Sequence, residues 1–94
     1  MDNVKKAIAE LQLLKANAHS KTAHQLTNYI AAAQELLEKV QEEEKDKKRK
    51  RKIEDIIGRL GGESMNLGNG PDHVPNAVGV RNVADRFIEE LNAL

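Results

Sequence analysis

The sequence predicts an all-α fold, because apolar residues recur at spacings of three and four along several stretches of its 94 residues. Two further observations favour this fold class. The charged segment 41–52 contains neither Gly nor Pro, so nothing in it forces a helix to stop. Aromatic residues make up 2% of the chain, which leaves Leu, Ile, Val and Ala to form a core. Such a core suits seams between helices better than it suits a ligand pocket.

The first helix is predicted over about residues 3–19, with Asp2 or Asn3 as its N-cap. Its apolar side chains fall on one face of the helix. They are Val4, Ile8, Leu11, Leu14 and Ala18. A stripe of this length has to be buried against another helix.

A second helix is predicted to begin near Ala23, because Thr22 and Gln25 have the spacing of a capping box. Its apolar positions are spaced four-three-four-three, which is typical of a coiled-coil heptad seam. They are Leu26, Ile30, Ala33, Leu37 and Val40. An antiparallel helical hairpin with the first helix and a seam between two copies explain this pattern equally well.

The charged segment 41–52 reads QEEEKDKKRKRK, with acidic residues placed before basic ones at helical spacing. Each acid–base pair one turn apart stabilises a helix by about 0.2–0.5 kcal/mol. The pairs are Glu43–Lys47, Glu44–Lys48 and Asp46–Lys50. The segment is therefore interpreted as a charged, solvated extension of the second helix.

Apolar residues return at Ile53, and the extended helix is predicted to stop at the pair Gly61-Gly62. One long, partly coiled-coil helix over residues 23–60 would measure about 57 Å. Such a helix is longer than a globule of this size needs. Either it projects as a rod in an oligomeric helical bundle, or it breaks near residues 41–50.

A glycine-rich loop is predicted over residues 63–76, where Gly and Pro cluster at residues 68–71. A C-terminal amphipathic helix follows over residues 77–94, with Asn76 or Asn82 as its N-cap. The apolar face of this helix is formed by Val80, Ala84, Phe87, Leu91 and Leu94. The predicted domains are a helical self-association domain over residues 1–62 with its charged extension, a linker over residues 63–76, and the C-terminal helix.

The composition excludes several classes of protein. The chain has no Cys, so disulfide-stapled scaffolds and Cys-ligated metal sites are impossible. Fifteen basic residues balance fifteen acidic ones, so no overall field draws the protein to nucleic acid or membrane. No apolar stretch approaches the roughly 20 residues of a transmembrane helix, and the N-terminus lacks the pattern of a signal peptide. We therefore expect a cytoplasmic protein, or a nuclear one in a eukaryotic host.

No catalytic or metal-binding pattern occurs in the sequence. His19 and His24 are five residues apart, which does not place them on one face of a helix, and no carboxylate joins them at the spacing of metal ligands. Ser20 and Ser64 lie in no nucleophile motif. The loop at 68–71 lacks the Lys and Ser/Thr of a phosphate-binding loop. We expect a protein without enzyme activity, metal or cofactor.

Six adjacent cations form the sharpest functional signal in the sequence. They are Lys47, Lys48, Arg49, Lys50, Arg51 and Lys52. Such a run can contact phosphates and release counterions, and in a nucleus it resembles an import signal. The alternative is a solvated helix whose cations neutralise the acids that precede them. Because consecutive residues point all round a helix, the run does not form a single basic face.

Residues 10–44 combine a short helix, a polar break ending in Thr22, a longer Leu-rich helix and a Glu-rich exit. In this combination the segment resembles the N-terminal self-association region of the histone-like nucleoid-structuring (H-NS) proteins. The resemblance implies dimerisation through interlocked helices, with a nucleoid protein as a further partner. In that family a separate C-terminal domain inserts a Gln-Gly-Arg-type loop into the DNA minor groove. Residues 63–94 contain no such loop, so the resemblance does not imply autonomous DNA binding.

These features together predict a small, non-enzymatic, self-associating helical interaction protein, such as an accessory or regulatory subunit of a phage or mobile element. Its apolar stripes would be buried in a homodimer, in a higher oligomer or against a protein partner. The residues expected at the self-association seam are Ile8, Leu11, Leu26, Ile30, Leu37 and Val40. Two alternatives stay open: a nucleic-acid-binding or nucleoid-associated regulator that uses residues 47–52, and a small assembly or scaffolding protein.

Overall fold

This computed structural model describes residues 2–67 and 73–94, and these residues form four α-helices and their connections. They are α1 (Asn3–Asn17), α2 (Ala23–Glu43), α3 (Lys47–Asn66) and α4 (Ala77–Asn92). The two described ranges contain no strand, which confirms the all-α fold class. The glycine-rich cluster predicted at residues 68–71 lies outside the described residues.

Short polar side chains begin α1, α2 and α4 as the sequence predicts. Asp2 accepts a hydrogen bond from the Val4 N–H at 2.8 Å. Thr22 and Gln25 form both hydrogen bonds of the capping box at the start of α2. Asn76 accepts hydrogen bonds from the first-turn N–H groups of α4. These contacts satisfy N–H groups that have no partner inside a helix, and they confirm the predicted starts of the three helices.

The chain reverses direction between α2 and α3 instead of continuing as one helix. Glu44 and Asp46 have extended backbone dihedrals, and Asp46 starts α3 by accepting a hydrogen bond from the Lys48 N–H at 2.9 Å. The interpretation of residues 41–52 as an extension of α2 is therefore wrong. The alternative, a break near residues 41–50, is confirmed.

The reversal has a physical reason in the apolar stripe that follows it. Ile53, Ile56 and Leu60 are at most 3% exposed, and an uninterrupted rod in a single chain would leave this stripe in water. Burying each such side chain contributes about 1.5–3 kcal/mol, whereas each acid–base pair along a helix contributes about 0.2–0.5 kcal/mol. The predicted pairs do not lie within one helix, and the ion pair observed at the turn joins Glu44 to Arg49.

The predicted end of this region at the pair Gly61-Gly62 is also wrong, because α3 continues to Asn66. Both glycines lie in regular helix, and Gly61 lies against Gln34 of α2. A Cβ atom at Gly61 would be 3.2 Å from the Gln34 Nε2 atom, so a larger residue there would require the Gln34 amide to shift slightly. Leu67 is buried directly after the helix and holds its last turn against the core.

The helices form a short rod of 42 × 19 × 19 Å around one apolar core. Helix α1 packs against α2 and α4, and α2 packs against α3. The core takes residues from all four helices. Within residues 2–67 and 73–94, no polar or charged side chain is buried.

Polar contacts join α3 to α4. Arg59 donates hydrogen bonds from both terminal guanidinium nitrogens to Glu90, with 2.9 Å between Nη1 and Oε2. The Arg59 guanidinium also lies 5.4 Å from the centre of the Phe87 ring. Glu63 and Arg86 form a second ion pair between the same helices. These contacts run in opposite order along the two helices, so α3 and α4 are antiparallel neighbours that close the bundle.

Truncation of the core should destabilise the fold strongly. Leu37 is fully buried, and we expect Leu37→Ala to lower the free energy of unfolding by about 2–5 kcal/mol, because it leaves a cavity. Urea denaturation followed by circular dichroism measures this loss. The matched control is Leu13→Ala, at a position 45% exposed, where we expect a change within about 0.5 kcal/mol. Equal losses in the two variants would contradict the placement of Leu37 in the core.

The Arg59–Glu90 pair should make stability depend on pH. The hydrogen bonds from Arg59 lower the pKa of Glu90 in the folded protein, so their contribution is present above the ordinary carboxyl pKa and is lost as pH falls through the lowered value. We expect Glu90→Gln to lower the free energy of unfolding at pH 7 by about 1 kcal/mol or less. The difference from wild type should shrink in urea titrations at pH 3. Glu89→Gln, at an exposed position on the same helix, is the control, and an equal pH effect there would count against the pair.

Candidate functional site

The residues predicted at a self-association seam lie inside or beside the core of a single chain. Four of them are at most 1% exposed, namely Leu11, Leu26, Ile30 and Leu37. The other two, Ile8 and Val40, are partly buried and pack against that core. Because these stripes are already covered by the chain's own helices, the surface left for contacts with other molecules consists of other, exposed side chains.

The basic segment, residues 47–52, occupies the start of α3. Five of its side chains are exposed, and these are Lys47, Lys48, Lys50, Arg51 and Lys52. Within residues 2–67 and 73–94, none of the five takes part in an ion pair. The segment therefore presents a cluster of cations that the described part of the fold does not neutralise by direct contact.

Arg49 differs from the other five because it lies one helical turn before Ile53 and so on the buried side of α3. Its guanidinium pairs with the Glu44 carboxylate across the turn. The hydrogen bond from Arg49, together with the backbone N–H of Asp46, holds the pKa of Glu44 below its usual range. Arg49 thus has a structural role at the turn that its basic neighbours do not share.

The charges at this end of the bundle oppose the helix dipoles. A helix N-terminus is stabilised by anions and a C-terminus by cations. Here α3 begins with the basic segment, whereas α2 ends with Glu42 and Glu43. Asp46, which caps α3, is the favourable exception. The order of charges on either side of the turn therefore does not stabilise α2 and α3 through their dipoles.

An acidic surface lies beside the basic segment on the neighbouring helix. The Gln34 Nε2 atom donates a hydrogen bond to the Ile57 carbonyl at 3.0 Å, and Gln41 lies 3.5 Å from the Glu54 carboxylate. These contacts place the C-terminal half of α2 alongside the N-terminal half of α3. The exposed acids on that half of α2 are Glu35, Glu38, Glu42 and Glu43.

This acidic surface is not among the sequence predictions, because residues 41–52 are interpreted there as an extension of the second helix. A usable signal was present in the spacing of Glu35, Glu38 and Glu42, which places three carboxylates on one face of a helix. That face is opposite the buried positions Ile30 and Leu37. The acids therefore form an outward-facing stripe and not a mixed charged rod.

Within the described ranges, no group of three or more His, Asp or Glu side chains is placed to hold a metal ion. An apolar cavity of about 240 Å³ lies between the end of α3 and the start of α4, and Glu63 is the one ionisable residue among the described residues that line it. In the same part of the chain, no helix is long and apolar enough to cross a bilayer.

The cap at Asp46 should be essential to the turn that positions the basic segment. We expect Asp46→Ala to lower the free energy of unfolding by about 1 kcal/mol, because the first-turn N–H groups of α3 lose their acceptor. Asp46→Asn keeps an acceptor oxygen at the same position and should retain most of the stability. Urea denaturation of both variants checks this, and an equal loss in the two would assign the effect to charge instead of capping.

No family model, curated protein or solved structure matches this chain. The resemblance of residues 10–44 to the H-NS self-association region therefore stays a prediction from sequence. The function has to be inferred from the chain's own surface.

Proposed function

We propose that this chain is a small, non-enzymatic helical interaction protein that binds nucleic acid through the basic segment, residues 47–52. One observation carries the proposal: five exposed cations lie together at the start of α3, with no ion-pair partner among the described residues. The ligand group is the phosphate backbone, because a run of Lys and Arg recognises negative charge and not base identity.

The dimensions of the segment suit several phosphates. Six helical residues rise about 9 Å along the axis, whereas a DNA duplex carries one negative charge per roughly 1.7 Å of its length. The flexible Lys and Arg side chains extend this reach on both sides of the helix. The positive end of the α3 dipole adds to the attraction for phosphate.

Recognition of individual bases is not part of the proposal. The two aromatic residues are unsuited to stacking on bases, because Tyr29 is partly buried and Phe87 is 1% exposed. Binding through this segment alone should therefore be independent of sequence and strongly dependent on salt.

The ordinary alternative is a solvated charged helix that binds nothing. In that case the acids of the same run would neutralise the cations. In the structure, these acids instead lie before the turn or within the turn. The acid that pairs with the basic segment is Glu44, and its partner is the partly buried Arg49. The arrangement therefore supports binding of an external anion over internal neutralisation.

Fluorescence anisotropy with a labelled DNA duplex of about 20 base pairs tests the proposal. If three to five cations contact phosphates, raising the salt from about 50 to about 200 mM should weaken binding roughly 100-fold. Replacing the five exposed cations of the segment by Gln should abolish binding at low salt. Absence of binding by the wild-type protein at low salt would overturn the proposal.

A matched pair of double variants separates local contacts from net charge. Lys47→Gln/Lys48→Gln removes two cations from the first turn of α3, and Lys5→Gln/Lys6→Gln removes two exposed cations from the start of α1. Both variants change the net charge by the same amount. We expect about a 10-fold weaker affinity from the first pair at low salt and little change from the second. Equal effects would indicate a diffuse attraction without a site on α3.

A further inference from the structure

We propose that the nucleic acid bound by the basic segment is a duplex, and that it lies on the side of α3 that faces α4 and solvent. Four of the five exposed cations contact it, whereas Lys50 does not. These four, called the basic quartet, are Lys47, Lys48, Arg51 and Lys52. Both the ligand class and the contact residues rest on the proposed function and make it specific.

The helical spacing of the basic segment divides its exposed cations between two sides of α3. Residues four apart share a face of a helix, so Lys47 and Arg51 form one row along α3. Lys48 and Lys52 form a second row, turned by about 100° from the first. Lys50 lies on the opposite side of the helix from this second row. The two rows together make one broad basic patch.

The row formed by Lys48 and Lys52 faces α4. Seven residues make almost two helical turns, so Lys52 lies on the same side of α3 as Arg59. Arg59 donates hydrogen bonds to Glu90 of α4, and Lys52 lines one surface cleft together with both residues. The basic quartet therefore covers the α4 side and the outer face of α3.

Lys50 faces α2 instead. It lies two turns before Ile57, whose carbonyl accepts a hydrogen bond from Gln34 of α2 at 3.0 Å. Acids one turn away flank it along its own row, Asp46 before it and Glu54 after it. The positive charge of Lys50 is therefore partly offset by acids within the chain.

The basic quartet contains two pairs of like charges one turn apart, Lys47 with Arg51 and Lys48 with Lys52. Like charges at this spacing disfavour a helix, and cations at a helix N-terminus also oppose its dipole. A bound anion relieves both repulsions. A ligand rich in phosphate therefore stabilises the start of α3 when it binds there.

The acids on the two sides of α3 differ in whether they are paired. Along the seam between α3 and α4, Asp55 and Glu90 both pair with Arg59, and Glu63 pairs with Arg86. A polyanion that extended over α2 would instead meet acids that take part in no ion pair within the described ranges, and carboxylates repel it. Those outward-facing acids of α2 are Glu35, Glu38 and Glu42.

The chemistry of this surface favours a duplex over a single strand. Proteins that hold single strands commonly stack the bases on aromatic side chains, but Tyr29 is partly buried and Phe87 is buried. The basic quartet supplies charge alone, over about 7.5 Å of a regular helix. A duplex carries one negative charge per roughly 1.7 Å, twice the density of either of its strands, so it offers more phosphates within that length.

Salt titrations by fluorescence anisotropy test which cations contact phosphate. Each contact adds about 0.9 to the slope of log affinity against log salt. Lys48→Gln should lower that slope by about one and weaken duplex binding about 3-fold at low salt. The matched control is Lys50→Gln, which removes the same charge from an exposed position on the same helix and should leave the slope unchanged.

Circular dichroism establishes that both variants are folded before their slopes are compared. Equal slopes in the two variants, or a larger loss in Lys50→Gln, would overturn the assignment of the contact side and leave the proposed function intact. Absence of duplex binding by the wild-type protein at low salt would overturn the proposed function and, with it, the basic quartet as a binding site.

The ligand class is tested by comparing a DNA duplex of about 20 base pairs with each of its single strands. The duplex should bind roughly 10-fold more tightly at about 50 mM salt, because each contact releases about 0.9 counterion from a duplex and about 0.7 from a single strand. Equal or tighter binding of the single strands would overturn the choice of a duplex, while the proposed function would stand.

Discussion

The turn at Glu44–Asp46 is the constraint on which the rest of the molecule depends. It lets the apolar stripe of α3 return to the core that α1 and α2 have begun, and it brings α4 within reach of both α1 and α3. The cost of interrupting a helix is offset locally, because Asp46 caps α3 and Glu44 binds both the Asp46 N–H and Arg49. The same turn separates the acids from the bases and assigns them to different helices.

This separation turns a neutral chain into one with a strongly divided surface. With equal numbers of acidic and basic residues, the protein has no long-range attraction for a polyanion. At short range the two signs of charge are separated, because the basic segment forms the start of α3 and the acids of α2 lie beside it on the neighbouring helix. The attraction of these cations for any anion is therefore short-ranged, and it falls off within about one Debye length.

The starts of three helices could be predicted from sequence because capping is a local interaction. Asp2, Thr22 and Asn76 each act on N–H groups two or three residues ahead. The turn could be given only as one of two alternatives, because Asp46 serves equally well as a cap and as the acid of a helical pair. The end of α3 was not predictable either, because the pair Gly61-Gly62 is a typical helix stop and yet lies within regular helix, with Leu67 buried beyond it.

The candidate site could likewise be predicted from the sequence only in part. The exposed cations follow from their number and adjacency, which are visible in the sequence. The burial of Leu26 and Leu37 within one chain does not follow, because an apolar stripe has the same period whichever chain covers it. The acidic surface on α2 likewise becomes visible once the hairpin has formed.

The aliphatic composition of the core determines which substitutions the protein can accept there. No polar group is buried in the described core, and its side chains are mainly aliphatic. Such a core tolerates exchanges of similar volume better than changes of volume. Polar contacts at the edge of the bundle, among them Gln34 with the Ile57 carbonyl and Arg59 with Glu90, add a directional constraint that aliphatic packing lacks. Substitutions in the centre should therefore be limited mainly by side-chain volume, whereas those at Gln34 or Arg59 should be limited by hydrogen-bonding geometry.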